Sequence, residues 1–256
     1  MDTWGVIADH VGVPSVVLFP TCLGDVVAQQ TVDDATTVLT RLGLSVRHPR
    51  GATCCGQPAF NSGHDAPARA VARATLRALD DGSSDPVLVP SGSCTSMVRL
   101  HWREVFHGTS DADAALRVAR RVRELSSFLA EQSAAISALQ PRLTARVAYH
   151  DSCHMLRELR IKQAPRDVLA AIDGVELVEL PGAERCCGFG GTFAVRYPEV
   201  SVAMAESKLD ELGPAGVDLL VSADPGCLLQ LGGRLSREGS PVRAVHLATV
   251  LAEALA

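Results

Sequence analysis

Eight cysteines carry the chemistry of this 256-residue chain. Cys22, Cys54, Cys55 and Cys94 in the first half are answered by Cys153, Cys186, Cys187 and Cys227 in the second. The intervening gaps are 31 and 38 residues, then 32 and 39, and a glycine, Gly56 or Gly188, follows each adjacent pair. All eight are therefore candidate ligands for a metal or cofactor. Four thiolates per half meet the usual demand of a 4Fe-4S cluster. Adjacent cysteines can both ligate a multi-iron cluster, whose iron atoms present ligand sites in different directions. Structural zinc is more often held by paired knuckles, two ligands separated by two to four residues, and no such pair occurs here. The spacing favours one or two iron-sulfur clusters per chain over zinc or another single ion, and over free redox-active thiols.

The residues between the cysteines also repeat. An apolar run into Phe19-Pro20-Thr21-Cys22 matches Arg146 to Tyr149 leading into His150-Asp151-Ser152-Cys153, each a short buried strand that stops before its cysteine. Helices are predicted over Asp33 to Leu42 and Ala164 to Ile172, each ending near a glycine, Gly43 or Gly174. Second strands follow at Leu44-Ser45-Val46 and Val175 to Val178. Beyond Gly56, Asp65 is placed to cap a helix whose Ala68, Val71, Ala72, Thr75, Leu76 and Leu79 share a face. Pro198 to Leu212 is its noisier counterpart. Third strands, Val87-Leu88-Val89 and Leu219-Leu220-Val221, deliver Cys94 and Cys227, and Leu125 to Leu129 mirrors Leu247 to Leu251 in a closing helix. The expectation is an α/β protein of two pseudo-symmetric lobes from an internal duplication, about residues 14–135 and 142–256, each a small parallel sheet flanked by helices. In such a sheet ligands bind beyond the carboxyl ends of the strands, so three strand ends can bring together thiols more than thirty residues apart. The amides of helix N-termini there favour anionic ligands.

Composition narrows the partners. A formal charge of -5 with 4% aromatic residues supplies neither a basic stripe nor stacking rings, so nucleic acid is not an expected partner. Met1 to His10 carries Asp2 and Asp9 without a basic start, which argues against a leader peptide. Runs such as Val16 to Phe19 and Val217 to Val221 are far too short for a transmembrane segment. A cytoplasmic protein is expected, and in a reducing compartment its cysteines suit metal better than disulfides.

Two Cys-Cys-Gly elements, each with a cysteine some thirty residues upstream and another nearly forty downstream, resemble the cysteine-rich CCG domain found in heterodisulfide reductase, in the iron-sulfur component of glycolate oxidase and in the lactate utilization proteins. The resemblance runs from about Pro14 to Leu255. Pro90 to Cys94, His150 to His154 and Arg185 to Phe193 are most similar to the lactate-utilization branch. It implies a cytoplasmic iron-sulfur subunit of an L-lactate-oxidising complex, working with companion subunits that include a ferredoxin-like iron-sulfur protein. The chain departs from the heterodisulfide reductase pattern where a fifth cysteine would stand: Ser91 and Asp224 occupy those positions. That departure favours an ordinary 4Fe-4S cluster over a noncubane one.

Other residues have two readings. Asp224 could offer an oxygen to iron, but an aspartate before Pro225-Gly226 is more often a turn or cap residue. Ser91 is a weaker ligand still. His150 and His154 bracket Cys153, and each could ligate iron, relay a proton, or hydrogen-bond a sulfur or carbonyl. His48 and His64 read as structural or exposed. Arg185 could offset cluster charge, receive a substrate carboxylate, or form a surface ion pair; Arg196 is equally open. The Arg117 to Arg123 segment reads as a solvated helix face, with docking of an acidic partner as the minor alternative. No nicotinamide-binding fingerprint precedes a helix. Two functions of other classes remain: a thiol-disulfide redox enzyme, and a non-redox zinc scaffold.

Overall fold

A computed structural model describes residues 13–256; the Met1 to His10 stretch lies outside them. Two four-stranded parallel sheets follow one another along the chain. The first contains β1 (Ser15–Leu18), β2 (Ser45–Arg47), β3 (Val87–Val89) and β4 (Val122–Glu124), in the order β2-β1-β3-β4. The second contains β5 (Arg142–Tyr149), β6 (Asp173–Val178), β7 (Leu219–Ser222) and β8 (Arg243–His246), in the order β6-β5-β7-β8. The α/β architecture of two related lobes is as the sequence indicates, but each sheet has a fourth strand beyond the three that the sequence predicts. Val122–Glu124 and Arg243–His246 are short and carry charges, so period-two patterning does not expose them.

Both orders reverse direction between the first and third strands of the lobe. The crevice outside the carboxyl ends of β1 and β3, or of β5 and β7, is where ligands bind such sheets. Cys22 and Cys94 follow the first pair of strands, and Cys153 and Cys227 follow the second.

The lobes are not separate bodies. Helices Gln29–Arg41 and Leu125–Glu131 of the first lobe pack on Leu247–Ala254 and Gln163–Ala170 of the second, respectively. Equivalent helices of the two lobes thus exchange partners, as a twofold relation requires. Val38, Leu39, Phe128 and Leu129 share one apolar core with Val168, Leu169, Val250 and Leu251. Two further cores lie on the outer faces, around Trp102 and Phe106 in one lobe and Leu220 and Leu231 in the other. No described helix is long and apolar enough to cross a membrane.

Several local expectations are corrected. The helix Asp65–Leu79 begins at Asp65, with His64 as its N-cap, so Asp65 serves the first turn rather than the cap. It buries Ala68, Ala72, Thr75, Leu76 and Leu79 but leaves Val71 exposed. The arginine-rich segment is not a free solvated face: Arg121 donates to the carbonyls of Leu79 and Asp85 and pairs with Asp81, Arg117 pairs with Asp80, and Arg123 lies in β4 against Phe128 and Glu131. These arginines tie the end of the first sheet together.

The closing helices have matching caps. Glu124 accepts from Ser127 N at 3.0 Å, and His246 Nδ1 accepts from Ala248 N at 3.0 Å. Burial pushes the Glu124 carboxyl up to about 7, opposed by bonds from Ser126 and Ser127, while Oε1 has no partner among the described residues. The folded state therefore keeps a proton that the unfolded chain releases near pH 4.5, and stability from this group falls as pH rises from there through about 7. Glu124→Gln should flatten that decline, gaining stability of a few kcal/mol at most at pH 7.5 and little at pH 4.5. Thermal melts of both proteins across this range provide the check; an equal offset at every pH would contradict it.

Candidate metal centres

The end of each first strand turns directly into its cysteine. Cys22 lies in the first turn of helix Thr21–Val26, after a buried Thr21 held at φ +69°, a conformation rare for a β-branched residue. Cys153 precedes the π-helical turn His154–Leu159. Cys94 and Cys227 occupy the first turns of helices Gly92–Ser96 and Pro225–Arg237.

The glycine of each Cys-Cys-Gly element has a physical reason. Gly56 and Gly188 sit at φ +92° and +85°, and a β-carbon would stand 2.8 Å from Ala68 O and 2.5 Å from Ser201 O. Only glycine lets the turn lie against the helix behind it. The same residues donate N–H to sulfur, Gly56 to Cys54 and Gly188 to Cys186, each at 3.4 Å.

Within each lobe the four cysteines meet as a chain of neighbours. Cys22 Sγ is 3.7 Å from Cys54 Sγ, and Cys55 Sγ is 3.4 Å from Cys94 Sγ. In the second lobe Cys187 Sγ is 3.2 Å from Cys227 Sγ, and Cys153 lies near enough to Cys186 for the two to share their ionisation. All eight are free thiols. Their ionisation is shared: Cys54 is pushed down to about 3, first by the bond from Cys22 and then from Cys55, and Cys186 to about 2 by Cys153 and Cys187. The donors Cys22, Cys55, Cys153 and Cys187 are pushed up by those same bonds and by burial. Each lobe thus accommodates one thiolate readily and opposes the next. Deprotonating all four requires a compensating cation, which is what a metal or cluster supplies.

The non-cysteine candidates separate clearly. Ser91 is the N-cap of the Cys94 helix and accepts from Cys94 N at 3.4 Å. Asp224 is the N-cap of the Cys227 helix; Oδ1 accepts from Gly226 N at 3.1 Å, and Oδ2 accepts from Ser93 N of the other lobe at 2.7 Å. Both are cap residues, and Asp224 also ties the two cysteine loops together. His154 Nε2 lies 3.2 Å from the side-chain nitrogen of Gln57, which also donates to Ser93 O. His150 is fully buried, with neither ring nitrogen bonded among the described residues and with Cys187 and Cys227 nearby. Burial, then Lys208, pushes it down to about 3, so its imidazole is neutral. Arg185 pairs with Glu211 at 2.9 Å on the surface, His48 lies against Thr36 in an exposed position, and Arg196 ends the short helix Thr192–Arg196.

Three residues at the site carry no plain signal in the sequence. Arg166 grips Asp151 with two bonds of 2.8 and 2.9 Å, fixing the turn before Cys153. Gln57 bridges the lobes. Lys208 is buried and donates to Gly182 O and Ala183 O, before the second cysteine pair. The one hint of Lys208 is the noise in its helix: a lysine falls on the stripe of Ser201, Ala205 and Leu209 that faces inward.

Comparisons with known proteins agree with this geometry. The CCG cysteine-rich domain family matches twice, over residues 16–99 and 147–232. A lactate utilization protein A 2 of Bacillus cereus is 39% identical over 239 residues, covering 93% of this chain and 98% of its own. A lactate utilization protein A of Geobacillus kaustophilus is 42% identical over 235 residues, 91% of this chain and 97% of its own. A crystal structure of a hypothetical protein from Helicobacter pylori aligns over 94% of this chain with a TM-score of 0.61 at 13% identity; the chain spans about half, 49%, of that protein. That likeness concerns the fold.

Gly188→Ala should cost about 1–3 kcal/mol through its left-handed backbone and the approach to Ser201 O. Gly191→Ala, which has a positive φ but open space around it, should cost less. Denaturant melts of the two variants compare strain alone with strain plus collision; equal costs would refute the close-packing explanation.

Proposed function

The chain belongs to the CCG cysteine-rich domain family, and on that premise we propose that it is the iron-sulfur electron-transfer subunit of a complex that oxidises L-lactate to pyruvate. The observation that carries this reading is the convergence of four thiols on one crevice in each lobe. A single tetrahedral ion with sulfurs at about 2.3 Å needs all four within about 3.8 Å of one another. Among the described residues the one group of three potential ligand atoms within 4.8 Å of one another is His150, Cys187 and Cys227, so neither lobe presents its four cysteine sulfurs at that spacing. Four thiols to a lobe is the number that a 4Fe-4S cluster takes, one for each iron. Cys22, Cys54, Cys55 and Cys94 would hold one cluster, and Cys153, Cys186, Cys187 and Cys227 a second. Such a cluster supplies reversible one-electron uptake.

The chain's own residues prepare that role. Gly56 and Gly188 aim amides at sulfur, the helix turns at Cys94 and Cys227 present N-terminal amides to the same crevices, and these donors favour anionic sulfur. The Gln57–His154 contact and the Asp224–Ser93 bond hold the two cysteine groups at one lobe junction, as transfer between them requires. Lactate is the substrate class named in the relatives. Its carbon chemistry is assigned to companion subunits, with a ferredoxin-like protein as electron partner, in the cytoplasm.

Iron, zinc and acid-labile sulfide on anaerobically purified protein, with EPR before and after dithionite, test this reading. About four or eight iron per chain with matching sulfide and a reducible signal are expected. Zinc without sulfide would replace electron transfer by a scaffold role. Cys187→Ser should lower iron content and abolish lactate-dependent growth; undiminished iron and growth would sink the ligand assignment.

A further inference from the structure

Because the lobes repeat one another, differences at matching positions are differences between the two centres. Two such differences face the thiols. Phe19, before Pro20-Thr21-Cys22, stands where His150 stands before Asp151-Ser152-Cys153. Both are fully buried, but one is a phenyl ring and the other an imidazole within 4.8 Å of the Cys187 and Cys227 sulfurs, with both nitrogens otherwise unpaired among the described residues. A buried unpaired polar group is costly, and the sulfur side of the second centre is where this one can be satisfied.

The second difference lies on the helices behind the Cys-Cys-Gly turns. Gly56 rests on Ala68 and Gly188 on Ser201; seven residues further along these helices are Thr75 and Lys208. Each reaches the loop around its cysteine pair. Thr75 Oγ1 donates to Cys54 O at 2.9 Å and accepts from Thr53 N at 3.0 Å. Lys208 Nζ donates to Gly182 O at 2.6 Å and Ala183 O at 2.9 Å. A neutral hydroxyl in the first lobe is thus replaced by an ammonium in the second, within Coulombic reach of Cys187 and Cys227.

The surrounding carboxylates do not cancel this cation by contact. Asp151 is gripped by Arg166, Glu211 accepts from Gly182 N and pairs with Arg185, and Asp224 accepts from Gly226 N and Ser93 N. Among the described residues Lys208 is bonded to carbonyls alone. Arg157 adds positive charge near Cys153. Asp224 acts on Cys227 in the opposite sense, but both of its oxygens already accept from amide donors.

We propose that the two centres are unequal, the second-lobe centre taking up an electron more readily than the first because Lys208 and His150 stabilise its added negative charge. This gives the chain an internal direction for electrons, from the first lobe to the second. The inference rests on the iron-sulfur reading above. Reduction adds one electron to a centre and breaks no bond. Net charge and hydrogen bonds to sulfur are the terms by which a protein sets such a potential. Lys208 and His150 are tuning residues, not ligands.

The test is an EPR-monitored potentiometric titration of anaerobically purified full-length protein, with dithionite as reductant and iron and sulfide measured on every sample. The wild type should show two transitions. Lys208→Gln, which keeps a donor but removes the charge, should lower the more positive one, changing the oxidised-to-reduced ratio at its wild-type midpoint at least tenfold, about 59 mV for a one-electron couple. His150→Phe, which installs the first-lobe residue, should move the same transition in the same direction. Lys208→Arg should leave it nearer the wild-type position than Lys208→Gln, and the more negative transition should stay fixed throughout. Should Lys208→Gln fail to fold, His150→Phe decides alone. Full iron with unmoved midpoints, a shift confined to the more negative transition, or a single transition for all the iron would overturn the inference while leaving electron transfer intact. Wild-type protein without iron and sulfide would remove both.

Discussion

Sulfur brought close to sulfur in a buried crevice is the constraint on which the rest of this structure depends. One thiolate in each group is welcome, because neighbouring thiols donate to it; further charges meet repulsion and desolvation together. The fold supplies features that favour anionic sulfur. Amides of Gly56 and Gly188 point at it, helix first turns carry Cys94 and Cys227, and the Asp224 carboxylate beside the thiols has both oxygens committed to amides. The parallel sheets are the means of assembly, since strands that all end on one side let residues distant in sequence converge at one edge.

The duplication does more than repeat a site. Exchange of helix partners across the central core makes each lobe part of the other's interior, so the distance between the cysteine groups is fixed by apolar packing around Val38, Leu129, Val168 and Leu251 rather than by a linker. Near the sulfurs the junction becomes polar. Gly92 N bonds Ala223 O, and a β-carbon on Gly92 would stand 2.1 Å from the Met155 side chain. Glycine there lets the Cys94 helix approach the turn that follows Cys153. Core packing and cap chemistry together hold the two cysteine groups at a set separation.

Much of this is legible in the residues because the chain is written twice. Cysteine spacing and the apolar runs before Cys22 and Cys153 indicate the parallel sheets and the strand ends that carry the thiols. Charged edge strands such as Val122–Glu124 are not legible, because three residues with two charges have no readable period and are held by pairing with β3. Asp224 is readable as a cap from its Pro-Gly context, but its second bond to Ser93 depends on how the lobes meet. Lys208 and Arg166 are hidden for the same reason. A charged residue in an amphipathic helix is ordinarily solvated, and only tertiary packing turns these two inward.

Ser91 and Asp224 show how a repeat can be made asymmetric at little structural cost. Both cap the helix that carries the last cysteine of their lobe, and a side-chain oxygen at that position satisfies a free helix amide. A serine has one oxygen and uses it within its own lobe. An aspartate has two, and the second makes a bond between lobes. The same logic extends beneath the thiols: Thr75 and Lys208 both bind the loop around the cysteine pair, yet the longer side chain also brings a charge. Each substitution preserves the local task common to both halves while adding one interaction found in only one. The halves can therefore keep one fold and still present two different electrostatic environments to chemically similar sets of four sulfurs.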